Sequence, residues 1–149
     1  MKKTLVAGAA GALLVAGLVA LTGFAGGHFR HRMRDPAEVT AFVTARVDDA
    51  LDDLDATPAQ RTQVNAVKDR MLAAALANRE ARLQTHDAFL AEWKADKPDA
   101  AKLHALVDQR AAEMTALAHQ AVDAAVEVHD ALTPDQRAKV TRKIERFHR

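Results

Sequence analysis

The chain has 149 residues, the length of one small domain, with 21 Lys and Arg against 20 Asp and Glu and a formal net charge of +1. This near neutrality argues against a nucleic-acid-binding protein. The chain contains no cysteine, which excludes disulfides, thiol redox chemistry and thiolate metal sites.

The N-terminal segment carries an export signal. Lys2 and Lys3 precede an uncharged, largely apolar run over residues 4–27. Small residues at Gly23 and Ala25 suit cleavage of a signal peptide after Ala25, so that residues 1–25 are removed. The run is also long enough to span a bilayer as a retained anchor. In either case we expect export to a bacterial periplasm, with inner-membrane anchoring only in the second.

The next segment, residues 26–34, contains His28 and His31 among arginines and has no apolar period, which predicts a flexible leader. Asp35 and Pro36 then predict a helix start, with Asp as N-cap and Pro in the first turn. The helical domain is therefore predicted to span residues 35–149. The apolar stripe of its first helix comprises Val39, Val43, Val47, Leu51 and Leu54.

A repeated phrase, Thr-Pro-x-Gln-Arg, marks two further helix starts 76 residues apart. Thr is the N-cap, Pro the first helical residue and Gln the third, which together predict a capping box. A second possible role for the glutamines is to join the ends of two helices in a dimer. The phrase consists of Thr57, Pro58, Gln60 and Arg61 in its first copy and of Thr133, Pro134, Gln136 and Arg137, after Leu132, in its second.

Between the two copies lies a predicted antiparallel helical hairpin. Its first arm runs from Pro58 to about Trp93, with an apolar face that begins Val64, Val67, Met71, Leu72 and continues through Leu76, Leu83, Leu90 and Trp93. Its second arm is predicted to start at an Asp96 cap with Pro98 in the first turn. The stripe predicted for that arm comprises Leu103, Val107, Ala111, Met114, Ala118, Ala121, Ala125, Val128 and Leu132.

A last helix over Pro134–Phe147 completes an all-α fold of four helices, since no segment has the alternation of a strand. Two rods of about 52 Å cannot bury each other's apolar faces completely. We therefore expect a cradle-like antiparallel homodimer, the alternative being a compact monomeric four-helix bundle. Phe42, Phe89, Trp93 and Phe147 are expected in the core, with exposure as the alternative for Trp93 near the hairpin tip.

Charge is unevenly distributed along the domain. Five aspartates lie within residues 48–55, and six basic residues lie within residues 137–149. The aspartates lack the glycine and distal glutamate of a calcium loop, so we interpret them as a solvated face that contacts the basic tail. Anionic lipid or a bound protein is the alternative partner of that tail.

Several histidines are candidate metal ligands. His104 and Asp108, like His119 and Asp123, lie four residues apart on one helix face, so each pair can supply two ligands to zinc, copper or nickel. A hairpin that turns near Asp96 brings His86 within about a turn of His104. His28 and His31 in the leader are a further pair, although such pairs also arise by chance on polar helices.

Catalysis has little support. The chain has no Gly-rich phosphate loop, no nucleophile elbow and no His-Glu-x-x-His motif, and it lacks serine, cysteine and tyrosine. We expect a non-enzyme that requires no cofactor, with a divalent metal such as zinc as the one candidate ligand.

The complete phrase from Leu132 to Gln136 resembles the LTxxQ motif of the Spy/CpxP family of exported, all-helical proteins. In the first copy Ala56 stands where leucine is expected, with Leu54 two positions earlier. The resemblance implies an ATP-independent periplasmic chaperone, a cradle-shaped dimer that binds unfolded or misfolded envelope proteins. Some relatives instead bind a sensor kinase in envelope-stress signalling, and others are heavy-metal-resistance or zinc-responsive proteins. A membrane-tethered helical scaffold is a third hypothesis.

Overall fold

A computed structural model describes residues 35–147, and the side chains as far as residue 145. Over this range the chain forms four α-helices and no strand, which confirms the all-α prediction. They are α1 (Pro36–Asp53), α2 (Pro58–Trp93), α3 (Ala100–Ala131) and α4 (Pro134–Phe147). The predicted signal or anchor and the leader with His28 and His31 lie outside the described residues. None of the helices in the described part is both long and apolar enough to cross a bilayer.

The two repeated phrases form the capping boxes that the sequence predicts. Thr57 Oγ1 accepts the Gln60 N–H at 3.3 Å, and Gln60 Oε1 accepts the Thr57 N–H at 2.9 Å. Thr133 and Gln136 form the same two hydrogen bonds at the same lengths. The first helix also begins as predicted, because Asp35 Oδ1 accepts the Ala37 N–H at 2.8 Å.

The hairpin tip differs from the prediction, since the cap of α3 is Asp99 and not Asp96. Asp99 Oδ1 accepts the Ala101 N–H at 2.9 Å and the Lys102 N–H at 3.3 Å. Pro98 therefore precedes the helix and does not lie in its first turn. The physical reason is that one carboxylate immediately before Ala100 satisfies two of the amides that a helix start leaves without partners.

The bend between α1 and α2 is a Schellman motif with an aspartate in the position that glycine usually takes. Asp55 has φ of 51°, in the left-handed region. Its N–H donates to Asp52 O at 3.0 Å, and the Ala56 N–H donates to Leu51 O at 3.0 Å. This tight bend turns α2 back antiparallel to α1.

The hydrophobic core lies at the base of the hairpin, where α1 and α4 pack against the two long arms. Its largest fully buried side chains come from α1, the first half of α2 and the second half of α3: Leu51, Leu54, Val64, Val67, Met71 and Val128. The predicted α1 stripe is confirmed as core at Val47, Leu51 and Leu54, while Val43 packs against the core and Val39 is only partly buried. The start of the predicted α2 face is also confirmed as core. The base of the molecule is a closed helical bundle, and the outer half of the hairpin has only two helices.

The predicted stripe of α3 is offset from the face that is buried. Val107 is 64% exposed and Ala111 is also exposed, whereas Leu117 and Ala124, which the prediction omitted, are buried. The shift arises because α3 packs against the alanine-rich side of α2, so small residues and not the largest apolar ones set the contact.

The aspartate-rich end of α1 contacts the basic last helix, as predicted. Lys143 Nζ lies 2.8 Å from Asp53 Oδ2, and Lys139 Nζ lies 3.4 Å from Asp55 Oδ2. The Lys143 pair is the more buried of the two. These ion pairs tie α4 across the α1–α2 bend.

Candidate functional site

The two glutamines of the repeated phrase join the base of the molecule. Gln60 Nε2 donates to the Ala131 carbonyl at 2.8 Å, at the end of α3. Gln136 Nε2 donates to the Leu54 carbonyl at 3.0 Å, at the end of α1. Each glutamine therefore caps its own helix and also satisfies a carbonyl at the end of another helix.

The same two side chains also bind each other. Gln60 Nε2 donates to Gln136 Oε1 at 2.8 Å, and Gln136 Nε2 donates to Gln60 Oε1 at 3.2 Å. Gln136 is buried, and among the described residues no buried side-chain nitrogen or oxygen lacks a partner. We call this set of hydrogen bonds, formed by Thr57, Gln60, Thr133 and Gln136, the glutamine joint. It connects two helix starts within one chain, whereas the dimer contact anticipated for these residues stays a prediction.

The arginine that ends each copy of the phrase has an equivalent structural role. Arg61 Nε donates to the Ala56 carbonyl at 3.1 Å, and Arg137 donates to the Leu132 carbonyl at 2.7 Å. Both carbonyls belong to the residue immediately before the N-cap. Ala56 and Leu132 are both buried in the core, so the first copy keeps the geometry of the second despite the replacement of leucine by alanine.

In the outer half of the hairpin, the two arms meet along a seam of small or polar side chains. The partly buried residues of α2 along this seam are Ala74, Asn78, Ala81, Thr85, Ala88 and Glu92. Across the seam Arg110 of α3 donates to the Asn78 side chain. The leucines of α2 lie on the opposite face, because each follows a seam alanine by two positions, as Leu83 follows Ala81, which is about 200° around the helix.

That leucine face is open. Leu83 is 47% exposed and Trp93 is 72% exposed, while Leu76 and Leu90 are partly exposed. We call Leu76, Leu83, Leu90 and Trp93 the distal apolar strip. Phe89, 47% exposed, and Val107, 64% exposed, lie on the same outer half of the hairpin. The expectation of a core position is therefore wrong for Phe89 and for Trp93: with two helices and no third layer, nothing in the described chain covers them. Phe42 is half-buried on α1 against Arg46.

Polar contacts of Glu92 connect the two arms at the hairpin tip, beyond the strip. Glu92 accepts the Asp99 N–H at 3.1 Å and lies 3.1 Å from Lys102 Nζ. The Asp99 hydrogen bond and then the Lys102 ion pair lower the pKa of Glu92 below its ordinary value of 4.5. The same Glu92 contact raises the pKa of Lys102. Charge-assisted hydrogen bonds therefore connect the two arms at the tip.

The candidate metal ligands are separated along the two arms. His86, His104 and His119 are exposed, as are Asp108 and Asp123. His86 lies 3.5 Å from the side chain of its neighbour Asp87. In the described part of the chain no three His, Asp or Glu side chains come together as a metal site would require. Metal binding by these residues stays a prediction.

The described residues form an all-helical fold. The two capping boxes join the helix ends at the base of the hairpin, and large apolar side chains of its outer half are exposed to solvent. Comparison with known families agrees with this description. The model of the LTXXQ motif family matches residues 43–143, which include both copies of the phrase. The chain belongs to the LTXXQ motif family, the family of Spy/CpxP-like periplasmic proteins. Searches of curated proteins and of solved structures found no match.

Proposed function

We propose that this protein is a periplasmic, ATP-independent chaperone that holds non-native envelope proteins on the distal apolar strip. The observation that carries the proposal is the division of the hairpin into two halves. The largest buried apolar side chains lie at the base, where only Val122 and Val126 of the large apolar residues described are exposed. Leu83, Phe89, Trp93 and Val107 are all exposed on the outer half. Large apolar side chains that stay exposed together on one half of a domain often mark a site where a partner binds.

The chemistry of the strip suits weak binding of many sequences. Its contacts are apolar and non-directional, so affinity depends on apolar area and not on a particular side-chain pattern. Release then requires no nucleotide, because a client that folds withdraws its own apolar surface. Membership of the LTXXQ motif family supports a periplasmic protein of the Spy/CpxP type, the class to which this proposal belongs.

The experiment is a light-scattering assay of a denatured client, with the purified exported protein added at near-stoichiometric amounts and without ATP or metal. We expect aggregation to be suppressed. Trp93→Ser and Leu83→Ser should each weaken client binding by about tenfold, since each removes an apolar side chain from the contact.

The matched controls are Val122→Ser and Val126→Ser. Both valines are exposed on α3, 62% and 53% respectively, but lie in its second half, away from the strip. These variants should retain full activity. Equal loss in the control and strip variants would refute the assignment to the strip, and a wild-type chain that does not suppress aggregation would refute the chaperone role.

A further inference from the structure

The sulfur atoms of this chain all belong to methionine, because it contains four methionines and no cysteine. Met1 and Met33 lie outside the described residues. Of the two methionines that the structure describes, Met71 is 1% exposed in the core, whereas Met114 on α3 is partly exposed. An oxidant dissolved in water reaches an exposed thioether more readily than a buried one, so Met114 is the more accessible of the two.

Met114 contacts the arginine that links the two arms of the hairpin. Arg110 Nη2 donates to the Asn78 side chain and also to Met114 Sδ, which lies 3.3 Å away. Arg110 Nη1 donates to Glu113 Oε2 at 2.8 Å. Glu113 and Met114 are residues of α3, like Arg110 itself, and Asn78 is a residue of α2. The hydrogen bond to Asn78 is therefore the one of these three that crosses the seam.

The guanidinium is held from its own helix. The Arg110 side chain is 18% exposed and the Glu113 side chain 33%. Gln109 Nε2 donates to Glu113 Oε1 at 2.9 Å, and this hydrogen bond, followed by that from Arg110, lowers the pKa of Glu113 below its ordinary value of 4.5. Glu113 is therefore ionised at neutral pH and fixes Nη1, while Nη2 is shared between Asn78 and Met114.

The chemical state of the Met114 sulfur decides which partner of Nη2 is the stronger. A thioether sulfur is a weak acceptor, so the Asn78 carbonyl oxygen is the better partner in the reduced protein. A sulfoxide is polar, and its oxygen is a strong acceptor. Arg110 and Met114 are four residues apart, a spacing that makes side chains neighbours on a helix. The sulfoxide oxygen can therefore compete with Asn78 without any movement of the two arms.

We propose that Met114 is an oxidation site, and that its sulfoxide draws Arg110 away from Asn78 and loosens the outer half of the hairpin. A hydrogen bond between α2 and α3 is then replaced by one within α3. The contacts of the glutamine joint and the Arg70–Glu127 ion pair at 2.7 Å involve none of these atoms, so the base stays closed. The proposal goes beyond the chaperone function and does not depend on it.

The oxidant is a peroxide or hypochlorous acid, both small and soluble enough to reach an exported protein. With hydrogen peroxide, a lone pair of Met114 Sδ attacks one peroxide oxygen, and the S–O bond forms as the O–O bond breaks. Hydroxide leaves and takes the proton from the oxygen now bound to sulfur, which gives the sulfoxide and water. The sulfur is oxidised and the peroxide is reduced, and a methionine sulfoxide reductase reverses the change.

The first test measures where oxidation occurs. The purified exported protein is treated with hydrogen peroxide and digested, and mass spectrometry follows the gain of one oxygen atom at each methionine. We expect Met114 to be oxidised at least about tenfold faster than Met71, since the core must open before Met71 can react. Equal rates in the folded protein would overturn the assignment of Met114 as the site.

The second test measures the structural consequence by amide hydrogen exchange of the oxidised protein. Exchange in the arms around Asn78 and Arg110 should become about tenfold faster, the factor expected for loss of one hydrogen bond to a charged group. Reductase treatment should restore slow exchange, and Met114→Gln, which supplies an amide oxygen, should exchange rapidly without oxidant. Met114→Leu is the matched control and should not respond to peroxide. Unchanged exchange after complete oxidation of Met114 would overturn the loosening.

The change of partner by Arg110 is tested with Asn78→Ala, which removes the acceptor across the seam. This variant should exchange rapidly before oxidation, and oxidation should then add less than about twofold, because both changes remove the same contact. A full tenfold response in Asn78→Ala would show that oxidation acts without Asn78, and would overturn the proposed mechanism.

Discussion

The glutamine joint makes a strong prediction about stability: Gln136→Ala should destabilise the fold by about 2–4 kcal/mol. The substitution leaves the buried Leu54 carbonyl without its donor, which costs about 1–3 kcal/mol. It also removes the glutamine half of a capping box, because the Thr133 N–H loses its acceptor, Gln136 Oε1; this loss is worth about another 1 kcal/mol. Small domains have a total unfolding free energy of about 5–15 kcal/mol, so this loss is readily measured.

The assay is urea unfolding of the exported protein followed by far-ultraviolet circular dichroism, because Trp93 is too exposed and too far from the base to report on it. Gln60→Ala and the double variant complete a mutant cycle, in which the two glutamines should couple by about 1 kcal/mol. Gln63→Ala, at an exposed position of α2, is the matched control and should change stability by less than about 0.5 kcal/mol. If Gln136→Ala costs no more than this control, the joint does not stabilise the fold as we infer.

Three further predictions concern other parts of the molecule. Leu51→Ala should cost about 3 kcal/mol and Leu83→Ala less than about 1 kcal/mol in urea unfolding, because only the first side chain is buried; similar costs would contradict a core confined to the base. Asp55→Gly should stabilise the chain by up to about 1 kcal/mol, since glycine adopts a positive φ without steric cost, and a loss of stability would show that the aspartate side chain matters more than its backbone. The Asp99 N–H lowers the pKa of Glu92, so the stability of the tip should be complete above pH 4.5 and be lost as pH falls through the lowered pKa; nuclear magnetic resonance titration that finds the Glu92 pKa at or above 4.5 would refute this.

Local signals in the sequence determined the helix starts and the fold class. Asp35 and the two Thr-Pro-x-Gln phrases specify their helix starts through side chains within three residues of the cap, so no distant contact is needed. The α1 stripe was equally predictable, since Val47 and Leu51 are buried on the face that the period indicates. At the tip, local preference does not distinguish Asp96 from Asp99, because both are good N-caps, and the prediction of Asp96 was wrong.

Tertiary packing decided the rest. Two side chains 76 residues apart, Gln60 and Gln136, form one joint because the hairpin brings both helix starts to the same end of the molecule, and neither phrase alone contains that information. The period of α2 fixes which residues share the leucine face, but not whether another helix covers it. Apolar attraction is non-directional, so the sequence does not specify which face of α2 the other arm contacts. The arms meet through small residues such as Ala81, and α1 ends before it reaches Leu83. Leu83 is therefore exposed to solvent.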